Sequence, residues 1–156
     1  MSEQKITMRA VAYIKNERHE KKDDFWGQTK ATIRLADDLP TTAFDGISAF
    51  SHLEIIFYFH KVNPKAIKIG SRHPRNQKSW PKVGTFSQRN KSRPNLIGTT
   101  IVKLLAHNER ELLVEGLDAI NDTPILDIKP IFKEFLPNSP ILQADWSVEL
   151  MKDYFR

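Results

Sequence analysis

The sequence predicts a mainly β domain, a single compact β-barrel with short peripheral helices. Three observations point there. Short runs of alternating or β-branched residues recur along the chain, turns rich in Gly, Pro, Asn and Asp separate them, and helical apolar spacing is confined to the C-terminal end. Short strands punctuated by turns suit a small barrel better than a doubly wound sheet.

The elements follow in order. Residues 8–15 form a first strand-like run, and a polar loop over 16–28 carries Phe25, Trp26 and Gly27. Residues 30–35 alternate polar and apolar, the pattern of a half-buried strand. Asp37, Asp38 and Pro40 break it, Thr41 or Thr42 is the expected cap of a short helical turn leading to Phe44, and Asp45-Gly46 marks another turn. Residues 50–60 are the most hydrophobic stretch. As a strand they put Leu53, Ile55, Phe57 and Phe59 on a core face and His52, Glu54, Ile56, Tyr58 and His60 on the other. Pro64 and Pro74 oppose a long helix over 63–79. Residues 100–105 read as a strand, 107–110 as a turn and 111–117 as its hairpin partner. Residues 117–130 set Asp118, Asp122 and Asp127 around a turn and a short extended segment stiffened by Pro124 and Pro130. Pro137 and Pro140 break residues 131–144, and 146–155 reads as a short terminal helix with Trp146, Leu150 and Met151 turned to the core.

At 156 residues, the chain suits one domain that can bury a core. It has no cysteine, so disulfides and thiolate metal ligands are absent and a reducing compartment fits. The longest apolar run, 55–59, is far too short to cross a bilayer, and the first residues carry no apolar signal region. The expectation is a soluble, cytoplasmic protein with no membrane partner. His52 and His60 would stand about 26 Å apart along an extended strand, and no other spacing suggests a metal site, so no metal is expected. The six glycines form no dinucleotide or phosphate-loop pattern, and there is no nucleophile elbow and no zinc-protease motif.

Lys and Arg number 24 against 19 Asp and Glu, but the distribution says more than the total. Between Asn63 and Asn95 stand Lys65, Lys68, Arg72, Arg75, Lys78, Lys82, Arg89, Lys91 and Arg93 with no acid, interleaved with Trp80 and Phe86. Such a segment suits a polyanion with aromatics for base stacking, the alternative being a solvated basic loop. Arg72, Arg75, Lys78, Lys82 and Lys91 are the candidate nucleic-acid contacts.

Residues 84–98 are too polar for a core strand and too rich in Pro, Asn and Gly for a helix. Pro94 fixes its own backbone and drives Arg93 towards an extended conformation. A stiff polar loop carrying Arg89, Arg93 and Asn95 between two strands has the character of a ligand-binding loop, the alternative being a surface loop with incidental charges.

Three segments together resemble the TsaA-like, TrmO-type family of S-adenosylmethionine-dependent tRNA methyltransferases. Residues 45–53, with the strand that follows, resemble the family's G-L-x-x-F-S-H-L. Residues 84–98 resemble G-x-F-A-T-R-S-x-x-R-P-N-P-I-G. Residues 116–130 resemble L-D-x-x-D-G-T-P-V-L-D-I-K-P-Y. The three occur in the family's order and spacing over about 8–132, with a C-terminal tail over 133–156. The resemblance implies one barrel domain over 1–156, a homodimer with the cofactor near the subunit interface, and methylation of the exocyclic amine of a threonylcarbamoyl-modified adenosine beside the tRNA anticodon. It makes Arg89, Arg93, Pro94, Asn95, Ile97, Gly98, Asp118, Thr123, Pro124, Asp127 and Lys129 the expected cofactor-binding residues, with Asp118 and Asp127 also candidates for the catalytic base. The alternatives are a methyltransferase of the same fold on another RNA or small molecule, or a non-catalytic member that binds RNA or cofactor. The chain departs from the motifs at particular places. Leu96 replaces the motif's second proline, which is expected to loosen the loop. Ser87-Gln88 stand where Ala-Thr is usual, and Asn121-Asp122 put a side chain where the turn normally uses glycine.

Overall fold

The computed structural model describes residues 2–156. Among them six strands close into an antiparallel barrel: β1 (Ala12–Lys15), β2 (Lys30–Leu35), β3 (His52–Tyr58), β4 (Ile97–Asn108), β5 (Glu111–Glu115) and β6 (Pro124–Pro130). Their order around the wall is β1-β2-β5-β4-β3-β6. Closure runs through a short β1–β6 contact, Ala12↔Ile125 and Tyr13↔Pro124. One α-helix, α1 (Asp145–Met151), and short 3₁₀ turns lie outside the wall. The expected mainly β barrel with short peripheral helices is the observed fold.

Alternation decides what fills the barrel. Ala31, Ile33 and Leu35 of β2, and Leu53, Ile55 and Phe57 of β3, are all buried, together with Ala12, Ile14, Val102, Leu112, Val114 and Ile125. The core face read from residues 50–60 is the observed one, with Phe59 packed against it from just beyond the strand. Gly98 sits opposite Phe57 in the β3–β4 register, where a Cβ would stand 2.5 Å from the Phe57 ring. Its requirement is therefore packing.

Several boundaries differ from the sequence reading. The first strand begins at Ala12 rather than residue 8: its pairing with β2 starts at Ala12↔Leu35 and that with β6 at Ala12↔Ile125, and Val11 N–H makes the last contact before it, to Ile125 O at 2.8 Å. β3 is shorter than 50–60; Phe50 lies outside it, stacked on Phe132 with ring centroids 5.6 Å apart. β4 runs from Ile97 to Asn108, longer than expected at both ends, and the hairpin turn narrows to Glu109-Arg110, with Glu109 left-handed at φ 46°. Neither threonine caps the turn at Thr41–Phe44; Pro40 holds the cap position and no side chain accepts there. The terminal helix forms, but Trp146, Leu150 and Met151 are only half-buried and stand outside the core cluster. The inward residues of the six strands already fill the barrel, so α1 packs on the basic loop instead, with Trp146 6.4 Å from Trp80.

Candidate functional site

The loop at 84–98 is stiff, and Gln88 is its hub. Gln88 is buried, and its Nε2 donates to Val83 O at 2.9 Å and Arg72 O at 3.4 Å. Its side-chain oxygen accepts from Asn90 Nδ2 at 3.2 Å, and its backbone oxygen accepts from Arg93 Nη1 at 2.9 Å. Arg89 Nη2 donates to Thr99 O at 2.8 Å, tying the loop to the start of β4. Leu96 is buried with φ 54°; its N–H donates to Arg93 O at 3.0 Å and its oxygen accepts from Phe59 N at 2.8 Å. The loop is not loosened by Leu96, because that side chain and both its backbone groups are engaged. Pro94 is half-buried and Asn95 exposed. Among the described residues neither Arg89 nor Arg93 has a carboxylate within ion-pair distance. Asn90 Oδ1 and Thr85 Oγ1 are buried in this loop without a hydrogen-bond partner.

The segment over 116–130 divides between the two sides of the barrel wall. Thr99 and Thr100 are neighbours on β4 and so face opposite ways. Thr99 Oγ1 donates to Glu54 Oε1 at 2.9 Å, and Glu54 lies across from Lys129 in the β3–β6 register. Lys129 pairs with Asp127 at 2.8 Å, and that hydrogen bond, then the Asp127 charge, raises the Lys129 ammonium above its ordinary value. Ile97 opens β4, so Arg89, Ile97, Thr99, Glu54, Asp127 and Lys129 are gathered along the outer face where β4, β3 and β6 lie side by side. A register shift between Ile56 and Phe57 lets Asp127 face outward while Ile125 faces the core.

Asp118 belongs to the other side. Its Oδ1 accepts from the hydroxyl of the buried Thr100, and its Oδ2 accepts from Tyr154 Oη at 2.5 Å. The two candidate aspartates therefore do not share one pocket. Thr123 is buried, with its hydroxyl on Ile120 O at 2.7 Å, and Pro124 begins β6, so these two shape the turn. Asp122 takes φ 64° at the glycine position of the motif, as its place in the turn requires, and is held by an ion pair with Lys15.

Of the basic residues, Lys78 and Lys82 are exposed, and Arg72, Lys78, Lys82 and Lys91 have no carboxylate partner among the described residues. Arg75 is different. It grips Asp24 with both terminal nitrogens, at 2.8 and 3.3 Å, and closes a cleft with Arg18, Lys22, Asp23 and Phe25 that shares no residue with the 84–98 loop. Phe86 projects into solvent at 79 % exposure from a turn whose neighbour Thr85 is buried. Among the described residues no cluster of His, Asp or Glu can hold a metal, and no helix is long and apolar enough to cross a membrane.

Sequence reasoning did not single out Gln88 as a hub, nor Glu54, Thr99, Thr100 or Tyr154 as parts of the site. The 50–60 alternation placed Glu54 on the non-core face. Nothing in the sequence joins Tyr154 to Asp118 across 36 positions.

The family model described as the tRNA-methyltransferase O N-terminal domain matches residues 12–135. A human protein named tRNA (adenine(37)-N6)-methyltransferase is 38% identical over 126 residues, covering 78% of this chain and 28% of that protein. A Methanocaldococcus jannaschii protein named a probable S-adenosyl-L-methionine-binding protein is 37% identical over 93 residues, 59% of this chain and 73% of that one. A crystal structure of TrmO from Pseudomonas aeruginosa superposes with a TM-score of 0.72 at 21% identity, over 93% of this chain and 63% of that chain, a likeness of fold. The chain spans about a quarter of the length of the mammalian relatives it matches, 25–28%. With two-thirds and more of its length inside one family model, and the three motif segments meeting on one barrel, the chain belongs to the tRNA-methyltransferase O N-terminal domain family.

Proposed function

We propose that the chain is a methyltransferase that binds S-adenosylmethionine with the 84–98 loop and the outer face of β4, β3 and β6. The observation that carries this is the pairing of the family match with two arginines, Arg89 and Arg93, that have no carboxylate partner among the described residues. The residues present suit the cofactor. A guanidinium such as that of Arg93 pairs bidentately with an amino-acid carboxylate. The orphaned Asn90 Oδ1 offers an acceptor to an ammonium group. Arg89, Pro94, Asn95, Ile97 and Gly98 shape the loop, Thr123 and Pro124 its neighbouring turn, and Asp127 and Lys129 the adjoining strand. Bound there, the cofactor supplies an electrophilic methyl group on a sulfonium. What the chain must add is position and a carboxylate to take the proton released by the accepting amine; of the two candidates Asp127 stands on this face, and Asp118, held by Thr100 and Tyr154 on the other side of the wall, does not.

The acceptor proposed from the family is a threonylcarbamoyl-modified adenosine beside the tRNA anticodon. Arg72, Lys78, Lys82 and Lys91 attract its phosphates. Arg75, committed to Asp24, is better placed to hold the loop that carries them. The proposal includes a cytoplasmic homodimer with the cofactor near the subunit interface, and one domain with its core over 8–132 and its tail over 133–156. The test is incubation of the chain with tRNA and S-adenosylmethionine carrying a labelled methyl group, followed by mass spectrometry of the nucleosides. Label on a threonylcarbamoyl adenosine is the expected result; a chain that binds cofactor but leaves every tRNA nucleoside unlabelled contradicts it. A second reading has its own support. The archaeal relative named only for S-adenosylmethionine binding is matched over 73% of its length, far more than the human enzyme. It predicts cofactor binding with a different acceptor.

A further inference from the structure

Trp80 and Phe86 interrupt the acid-free stretch between Asn63 and Asn95, and the fold sends them to different tasks. Trp80 is held by the C-terminal strap, α1 and the residues after it. Its Nε1 donates to Glu149 Oε2 at 3.0 Å, and its ring lies against Trp146. Past the helix, Asp153 O accepts from Phe25 N at 3.0 Å and Tyr154 O accepts from Trp26 N at 2.8 Å, so the strap is anchored at both ends. Trp80 is therefore a packing residue. Phe86 is 79 % exposed, and among the described residues no aromatic ring lies against it.

The backbone under Phe86 is fixed. Ser87 N–H donates to Gly84 O at 3.0 Å and Gln88 N–H to Thr85 O at 3.3 Å, which closes one 3₁₀ turn beside the buried Thr85. The buried Gln88 amide pins the foot of that turn through Val83 O and Arg72 O, and Arg72 and Val83 pair in an isolated antiparallel bridge. The bridge brings the backbones of Arg72 and Lys82 to the foot of the turn. Single exposed apolar side chains are common on proteins. What sets Phe86 apart is its combination of a rigid base, basic neighbours without acids, and a place three residues before Arg89 in the loop assigned to the cofactor.

We propose that Phe86 is the stacking platform for an unpaired base of the RNA acceptor, with the flanking Arg72 and Lys82 on its phosphates. The proposal rests on the RNA-acceptor reading above and deepens it by naming the residue that meets the base. Chemistry on a base amine requires that base out of its stack, and single-stranded RNA is recognised by bases splayed onto aromatic faces. A ring held on a fixed turn does not have to be ordered when the base arrives.

The experiment is fluorescence anisotropy of the full chain with a labelled single-stranded oligoribonucleotide of about 12 nucleotides without self-complementarity, at low and high salt. Wild type is compared with Phe86→Ala, Phe86→Leu, Phe86→Tyr and Lys78→Ala, each after a thermal melt, and calorimetry with S-adenosylmethionine runs beside it. Phe86→Ala and Phe86→Leu are expected to weaken RNA binding about fivefold or more, by the same factor at both salts, because a stacked ring releases no counterion. Phe86→Tyr keeps the ring and stays within about twofold of wild type. Lys78→Ala instead flattens the salt dependence. Cofactor affinity in Phe86→Ala is that of wild type. Wild-type RNA affinity in a folded Phe86→Ala chain, a loss repaired by leucine, or a loss that fades at high salt overturns the proposal. Loss of cofactor binding in Phe86→Ala also overturns it, by placing the ring in the cofactor pocket. Wild type that binds cofactor but no RNA overturns the proposal and leaves the cofactor reading standing. Wild type that binds RNA through Phe86 but no cofactor supports the proposal and overturns the methyltransferase reading alone.

Discussion

Leu96 shows how a motif departure can invert its expected effect. Proline, usual at this position of the motif, has φ fixed near −65° and no N–H. Here φ is 54° and the N–H donates to Arg93 O, so this backbone cannot be made with proline. Leu96→Pro is expected to destabilise the chain by about 3 kcal/mol or more, measured by denaturant unfolding; a loss below about 1 kcal/mol would show that the loop can re-form in the usual way. The residues involved were visible in the sequence, but the sign of φ was not, because local propensity says little about a leucine whose side chain a tertiary pocket buries. Asp122 is the counter-case, since aspartate at a glycine position tolerates the left-handed turn for local reasons that sequence does express. Tyr154 supplies a pH test. The folded chain holds its phenolic proton more tightly than the unfolded chain does, so this contribution to stability is complete below the unfolded value of about 10 and is lost as pH rises above it. Wild type should therefore lose stability between pH 9 and 11 more steeply than Tyr154→Phe in paired denaturant titrations, at about the pH where free tyrosine ionises. Parallel curves would place the hydroxyl in water.

The strands were read correctly where one face is buried. In β2 and β3 the alternation in the sequence is the alternation in the barrel, because a one-residue slip would expose the whole core face. What alternation did not give is the bulge that turns Asp127 outward, since it depends on how β6 meets β3. The strap was also missed. Its helix was readable, but its docking partners are Phe25, Trp26, Trp80 and Asp118, and no period in the sequence connects them. Gly27 is the element's weak point: a Cβ there would stand 1.9 Å from the Phe155 carbonyl oxygen. Gly27→Ala is expected to push the strap off. Hydrogen exchange would show it as lost protection at the amides of Phe25 and Trp26, with the amides of β3 unchanged. Retained protection at both amides would mean that the close approach can be relieved without undocking.

Charge is the property of the whole molecule that the sequence states most plainly, and the barrel leaves it outside. The acid-free stretch between Asn63 and Asn95 folds as loops and short turns over the wall, so Lys78 and Lys82 remain in solvent. If they contact tRNA phosphates, affinity will fall linearly with the logarithm of salt concentration, and Lys78→Ala will lower the slope by about 0.7–0.9. Arg75→Ala, which breaks the Asp24 pair, should cost stability instead and leave the slope nearly unchanged. An Arg75→Ala slope that drops as far as that of Lys78→Ala would return Arg75 to the binding surface. The fold and the motif segments were readable because both depend on short-range pattern. The division of the two aspartates between opposite faces of the wall was not, because it depends on strand register. The account turns on the arginines of one loop that have no carboxylate partner among the described residues, and titration of the purified chain with S-adenosylmethionine, wild type beside Arg93→Ala, tests it most directly. The prediction is saturable wild-type binding near one per chain, weakened about tenfold or more in a variant that still melts cooperatively as a folded chain. Equal affinity in Arg93→Ala, or no wild-type binding even with tRNA present, would contradict it.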